Sequence, residues 1–266
     1  MQKLTELLVT ITKLKTQIDH YRPLSKAQVI QLEKNIRIEH VWSSSTIEGN
    51  QLNQFETASI LNKGLTIHGA AVKDILEVLD LNQAYEYMLD LAKRQQPLTQ
   101  TIIRDLNRLA TLQTAENRAD AGVYRAITVW PNGLENHPYV DPFSIRPQMD
   151  ALITWANETQ KSLHPVIYAA RLHQRFVAIH PFIDGNGRTA RLLMNLALTE
   201  AGYPVINVQP AKASRDAYML ALEKARNGVS ADFDQLIAHY MLTTLQQRLR
   251  ILQLNQQNIA DAEHDV

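Results

Sequence analysis

Apolar positions recur at three- and four-residue steps along almost the whole chain. Leu4, Leu7, Leu8, Ile11, Leu14 and Ile18 line one face of a first helix, which Pro23 closes. A second run carries Val29, Ile30, Ile36 and Ile38 towards Trp42. Asn53 with Glu56 three residues on predicts a helix start, and Gly64 a helix stop. Residues 71–93 and 99–112 follow as helices, the second opened by Thr99 after Pro97. The period changes only between about 120 and 141. There Tyr124 to Trp130 is rich in β-branched and aromatic residues, and Pro131-Asn132-Gly133 is turn chemistry, so a short β-hairpin flap is expected. Helical spacing returns over 142–160, 164–179, 187–201, 210–226 and 231–253. The predicted fold is all-α, multi-helical, with one small hairpin. It divides into an N-terminal helical region (1–110), a core with the flap (111–255) and a fraying tail (256–266).

Composition narrows the function classes. A chain of 266 residues with 45% hydrophobic content can bury a sizeable core. Lys plus Arg equals Asp plus Glu at 27 each, so no net field attracts nucleic acid or an anionic membrane. Cysteine is absent, which excludes disulfides, thiolate zinc sites and a cysteine nucleophile. The amphipathic N-terminus lacks a signal-peptide h-region, and no run approaches the ~20 apolar residues of a membrane span, which predicts a cytoplasmic location. His173 and His180 have only Asp184 near them, no zinc ligand set. Leu242, Leu245, Leu249 and Leu252 follow heptad-like steps; core packing is the default reading and a homodimer seam the alternative.

One segment carries chemistry: His180-Pro-Phe-Ile-Asp184-Gly185-Asn186-Gly187-Arg188-Thr-Ala-Arg191. As a plain helix–turn–helix connection it would owe its glycines to the turn. Its other residues argue for a phosphate site. Gly185 and Gly187 let the backbone approach a ligand, and the loop opens into a helix N-terminus whose free N–H groups favour anions. Arg188 and Arg191, three apart, share a face and can reach one polyanion. Asp184 is a hard oxygen ligand suited to Mg²⁺. His180 is a proton acceptor near neutral pH. The spacing is not that of a Walker A loop.

The segment resembles the His-Pro-Phe-x-x-Gly-Asn-Gly-Arg-x-x-Arg signature of the Fic/DOC family at all eight fixed residues. The likeness continues through Phe176–Ile179, Leu192–Asn195, Ala201-Gly-Tyr-Pro204 and Ala121-Gly-Val-Tyr-Arg125. It implies a protein adenylyltransferase, which moves AMP from ATP to a Ser, Thr or Tyr hydroxyl of a target protein or of itself. By the same resemblance, His180 is the general base and Asp184 holds Mg²⁺. Asn186 with the amides of Gly185 and Gly187 forms the anion hole, and Arg188 and Arg191 take the β/γ-phosphates.

Upstream, Ser45-x-x-Glu48 fits a capping box, but Gly49-Asn50 follows at once and stops helices, so a helix end is the better reading. Ser44 to Gly49 resembles the family's inhibitory Ser/Thr-x-x-x-Glu-Gly/Asn motif, which implies that Glu48 pairs with Arg191 and withholds it from the γ-phosphate, so that ATP binds, if at all, in a nonproductive pose. Alternatives on the same scaffold are removal of AMP by hydrolysis, or transfer of phosphate, another nucleotide or phosphocholine. Outside enzymes the alternative is a toxin–antitoxin-type regulatory module. Gly187, where the kinase-like relatives carry lysine, argues against phosphate transfer.

Overall fold

The computed structural model describes residues 3–21, 26–131 and 136–264, the side chains of 26–31 and 257–264 excepted. Among the described residues there are ten α-helices. They are α1 (Leu4–Asp19), α2 (Lys26–Ile47), α3 (Gln54–Lys63), α4 (Val72–Arg94), α5 (Gln100–Thr111), α6 (Ile145–Thr159), α7 (Pro165–Ile179), α8 (Asn186–Glu200), α9 (Lys212–Arg226) and α10 (Ala231–His264). None is long and apolar enough to cross a membrane.

Local chemistry sets the boundaries. Asn53 and Glu56 form a reciprocal capping box, and Gly64 ends α3 at φ +65°, where a side chain is strained. The Thr99 side chain accepts from Ile102 N–H at 3.2 Å to open α5. Pro165 begins α7, where the missing N–H costs nothing.

α8 is the central helix. Every residue from Arg188 to Leu198 is buried, and it packs against α2, α4, α5 and α7. Such all-round burial is tolerated because each of its large polar side chains finds a partner, Arg188 Nε alone being left over: both ends of the Asn195 amide pair with Ile206, whose N–H donates at 2.9 Å and whose carbonyl accepts at 3.0 Å. At the periphery Leu7 and Ile11 of α1, fully buried, pack against α10. Each such side chain is worth about 1.5–3 kcal/mol relative to exposure. Leu245 and Leu252 of the heptad-spaced set are buried in this same core, and Leu242 and Leu249 pack on it. α10 continues as helix through His264, past residue 256 where the pattern predicts a tail.

The expected hairpin is not a strand ladder. Among the described residues no strand forms, and one backbone rung joins the two arms, Tyr139 N–H to Val129 O at 3.0 Å. The expected turn at Asn132-Gly133 lies outside the described residues. The reason lies in the partners of the arms: arginine side chains take the carbonyls a second strand would use. Arg125 bonds Ile127 O and Val140 O, and Arg226 bonds His137 O and Pro138 O.

Candidate active site

α7 ends and α8 begins on either side of the signature loop, and the loop is built by its own residues. Asn186 closes on Phe182, accepting from its N–H at 3.0 Å and donating to its carbonyl at 2.8 Å. Gly185 sits at φ +75°, and a Cβ there would lie 2.5 Å from Thr111 Cγ2. Asn107 anchors the loop from α5, donating to Asp184 O at 2.9 Å. Thr189 N–H is bonded to Gly185 O, so the amides of Asn186, Gly187 and Arg188 precede the helical ladder and point out of its positive end.

His180 caps the C-terminus of α7 in the left-handed region, φ +53° and ψ +58°. A non-glycine residue there is strained by about 1–2 kcal/mol, and such strain gathers at functional sites. Its ring stacks on Tyr139, centroids 3.8 Å apart and planes 11° from parallel. Burial, and next the Arg125 charge, push its pKa down to about 4, against Glu48, the Val177 carbonyl and Asp184. It is a neutral base at physiological pH.

Asp184 keeps a half-exposed carboxylate. One oxygen accepts from Gly185 N–H at 2.6 Å and the other meets Arg188 at 2.8 Å. Desolvation raises its pKa, but the Arg188 charge and the Gly185 N–H outweigh it, so the carboxyl lies below its ordinary value.

The two arginines part company, contrary to the shared reach that their spacing predicts. Arg188 is buried, with one donor on Asp184 and another on Ala110 O at 3.0 Å. Arg191 turns the other way, to α2. Its Nε donates to Ser44 Oγ at 2.7 Å and its terminal nitrogen to Ser44 O at 2.9 Å and Glu48 Oε1 at 2.6 Å. Identical spacing gave different neighbours because each long side chain follows the partners supplied by another segment.

Glu48 stands one residue beyond α2, its N–H on Ser45 O, so the segment is a helix end and not a capping box. Gly49 follows at φ +107°, which suits glycine. The carboxylate lies over the start of α8 so closely that a Cβ on Gly187 would be 2.1 Å from Glu48 Oε1. An acidic group at a helix C-terminus is unfavourable alone. Here Arg191 neutralises it, and Arg215 of α9 donates to the adjacent Ile47 carbonyl at 2.9 Å.

Glu48, His180, Gly187 and Arg191 line one cavity of about 500 Å³ together with Tyr139 and α9 side chains, whereas Asp184 and Arg188 are not in its lining. A second cleft of about 560 Å³, against α2 and α10, shares none of its lining. Arg125, quoted from sequence only as part of the family likeness, belongs to the site, as do Tyr139, Arg215 and Tyr218, which were not singled out. Their partners are largely backbone carbonyls and rings from distant segments, which leave no local spacing to find.

The chain is similar to known proteins in sequence and in fold. Residues 97–198 match the sequence model of the Fic/DOC family. The chain is 34% identical over 215 residues to "Protein adenylyltransferase Fic" of Aedes aegypti, covering 80% of this chain and 42% of that protein. It is 32% identical over 222 residues to the Drosophila grimshawi protein of the same name, covering 83% and 44%. It therefore spans less than half the length of these curated relatives. Among solved structures, a Fic domain-containing signaling protein from Bacteroides thetaiotaomicron superposes with TM-score 0.82 at 27% identity, over 92% of this chain and 98% of that one. C. elegans Fic-1 (residues 134–508) superposes with TM-score 0.83 at 25% identity, over 95% and 73%. The chain carries a domain of the Fic/DOC family, and the His180–Arg191 loop lies within it.

Proposed function

We propose that the protein is a self-inhibited protein adenylyltransferase, moving AMP from ATP to a Ser, Thr or Tyr hydroxyl of a target protein, itself included. In the reaction the hydroxyl oxygen bonds the α-phosphorus, the bond to the β-phosphate bridge breaks, pyrophosphate leaves and the proton goes to His180. Burial keeps the His180 ring neutral, and so free to accept a proton, before the hydroxyl arrives, though it also lowers the basicity of the ring. The amides at the start of α8, in the Gly185–Asn186–Gly187 turn, are suited to phosphate oxygens, with the Asn186 side chain bracing the turn. Arg191 is suited to the distal phosphates, whereas Arg188 acts through Asp184 and the loop unless it leaves both partners.

Asp184 fits Mg²⁺: it is a half-exposed carboxylate held in its charged form, and Mg²⁺ normally takes one or two carboxylates with water and phosphate. Bound there, Mg²⁺ would neutralise phosphate charge.

One observation carries the inhibited state, the Glu48 carboxylate seated on Arg191 and against Gly187. It places negative charge where a phosphate would go. A second reading, hydrolytic removal of AMP, draws on Glu48 and His180 facing one cavity, where a carboxylate can align water.

The test uses ATP labelled on the base and, separately, on the γ-phosphate, with Mg²⁺. Base label on protein means adenylylation; γ label means phosphate transfer. A charge-assisted pair is worth on the order of 1.5–3 kcal/mol. Glu48→Gly should therefore raise incorporation by about one to two orders of magnitude, Glu48→Gln less, and Arg191→Ala not at all. His180→Ala should abolish transfer yet bind ATP. Equal or lower incorporation in folded Glu48→Gly protein would refute self-inhibition.

A further inference from the structure

Arg125 is a buried cation, 3% exposed, that forms no ion pair among the described residues. Each of its three guanidinium nitrogens serves a carbonyl instead, from three stretches of chain. Nε donates to His180 O at 2.8 Å, one terminal nitrogen to Ile127 O at 2.6 Å and the other to Val140 O. Its own N–H adds Pro181 O at 2.9 Å. Asp141 favours its charge without pairing with it, so the withdrawal from water is costly unless the geometry is very good, and a planar guanidinium can meet three carbonyls where an ammonium cannot.

The three stretches are the two arms of the flap and the residue held in the left-handed conformation. Among the described residues one backbone rung joins the arms, and the returning arm supplies Tyr139, which stacks on His180. We infer that Arg125 is the positioning residue of the site: its guanidinium fastens both flap arms to the His180 carbonyl and so sets where the imidazole stands. This rests on the adenylyl-transfer reading. The phosphate-binding groups of α8, Gly187 and Arg191, make no contact with it among the hydrogen bonds described and should be left alone by its removal.

The experiment compares Arg125→Ala, Arg125→Gln and Arg125→Lys in Glu48→Gly protein, using whichever neutral variant keeps the parent melting temperature. A misplaced base typically costs about 100-fold. The neutral variant should lose on the order of 100-fold in kcat, with ATP affinity within about threefold of the parent. Lysine, which keeps the charge but not the fork, should not rescue it. Two readouts need no activity. Amide hydrogen exchange should quicken at 126–131 and 137–141 but not in α8. The His180 ring, faced by Arg125, Glu48, Asp184 and Tyr139, should titrate above its value of about 4. Full rescue by lysine, an equal loss of ATP binding, or unchanged flap exchange each overturns the assignment. If the Glu48→Gly parent transfers no AMP, the functional reading fails, and exchange and titration still judge Arg125.

Discussion

At the scale of single residues, protonation states decide what the site does. A His180 with pKa about 4 is neutral where free imidazole is half protonated. AMP transfer by Glu48→Gly protein should thus stay flat from about pH 8 to 5.5 and fall only towards pH 4. Halving near pH 6.5 would mean that the buried environment is lost in the active state. Asp184 presents the opposite case, a carboxyl kept charged by a neighbour that is itself buried. Deleting it strands Arg188, so Asp184→Asn is the cleaner change. Titration calorimetry should then show ATP binding that gains little from Mg²⁺, whereas the parent gains at least several-fold. An undiminished Mg²⁺ effect would end the proposed Mg²⁺ role of Asp184.

At the scale of elements, α2 is a helix with cations waiting at its end. Arg215 bonds the last helical carbonyl, Ile47 O, and Arg191 holds the carboxylate beyond it. Loss of one charge-assisted bond of about 1–2 kcal/mol should loosen that end, so Arg215→Ala should raise AMP incorporation several-fold, below Glu48→Gly. No increase would show that Arg191 and Ser44 hold α2 without help. The helices themselves were legible in sequence because their information is local: Asn53 with Glu56, Gly64, Thr99, and apolar spacing between. Glu48 was legible for a related reason, since Gly49-Asn50 marks a helix end at once. The flap was misjudged because its β-branched run speaks only of backbone preference. Whether a second arm pairs depends on Arg125 and Arg226, whose bonds span sequence gaps no periodicity records. The divergence of Arg188 and Arg191 was hidden likewise: spacing fixes where their Cβ atoms start, while Ala110 and Ser44 decide where their guanidinium groups finish.

At the scale of the whole molecule, the proposed inhibition and the stability would be one quantity seen twice. Removing Glu48 leaves Arg191 buried without its carboxylate, and because that carboxylate is a third exposed the loss should be about 1–3 kcal/mol. Ligand at 100 times its Kd returns about 2.7 kcal/mol. Glu48→Gly protein should therefore melt below the parent alone, yet gain more from ATP and Mg²⁺ in a thermal scan. Equal ligand-induced shifts in the two proteins would mean that Glu48 does not compete with ATP. The two halves of the contact lie 143 residues apart in one chain, so the fold alone sets how often they meet. Dilution cannot separate them. Specific activity should stay as low at nanomolar as at micromolar protein, and silent protein mixed with an activated variant should not quieten it. On the proposed reading each molecule would carry its own brake and no other's.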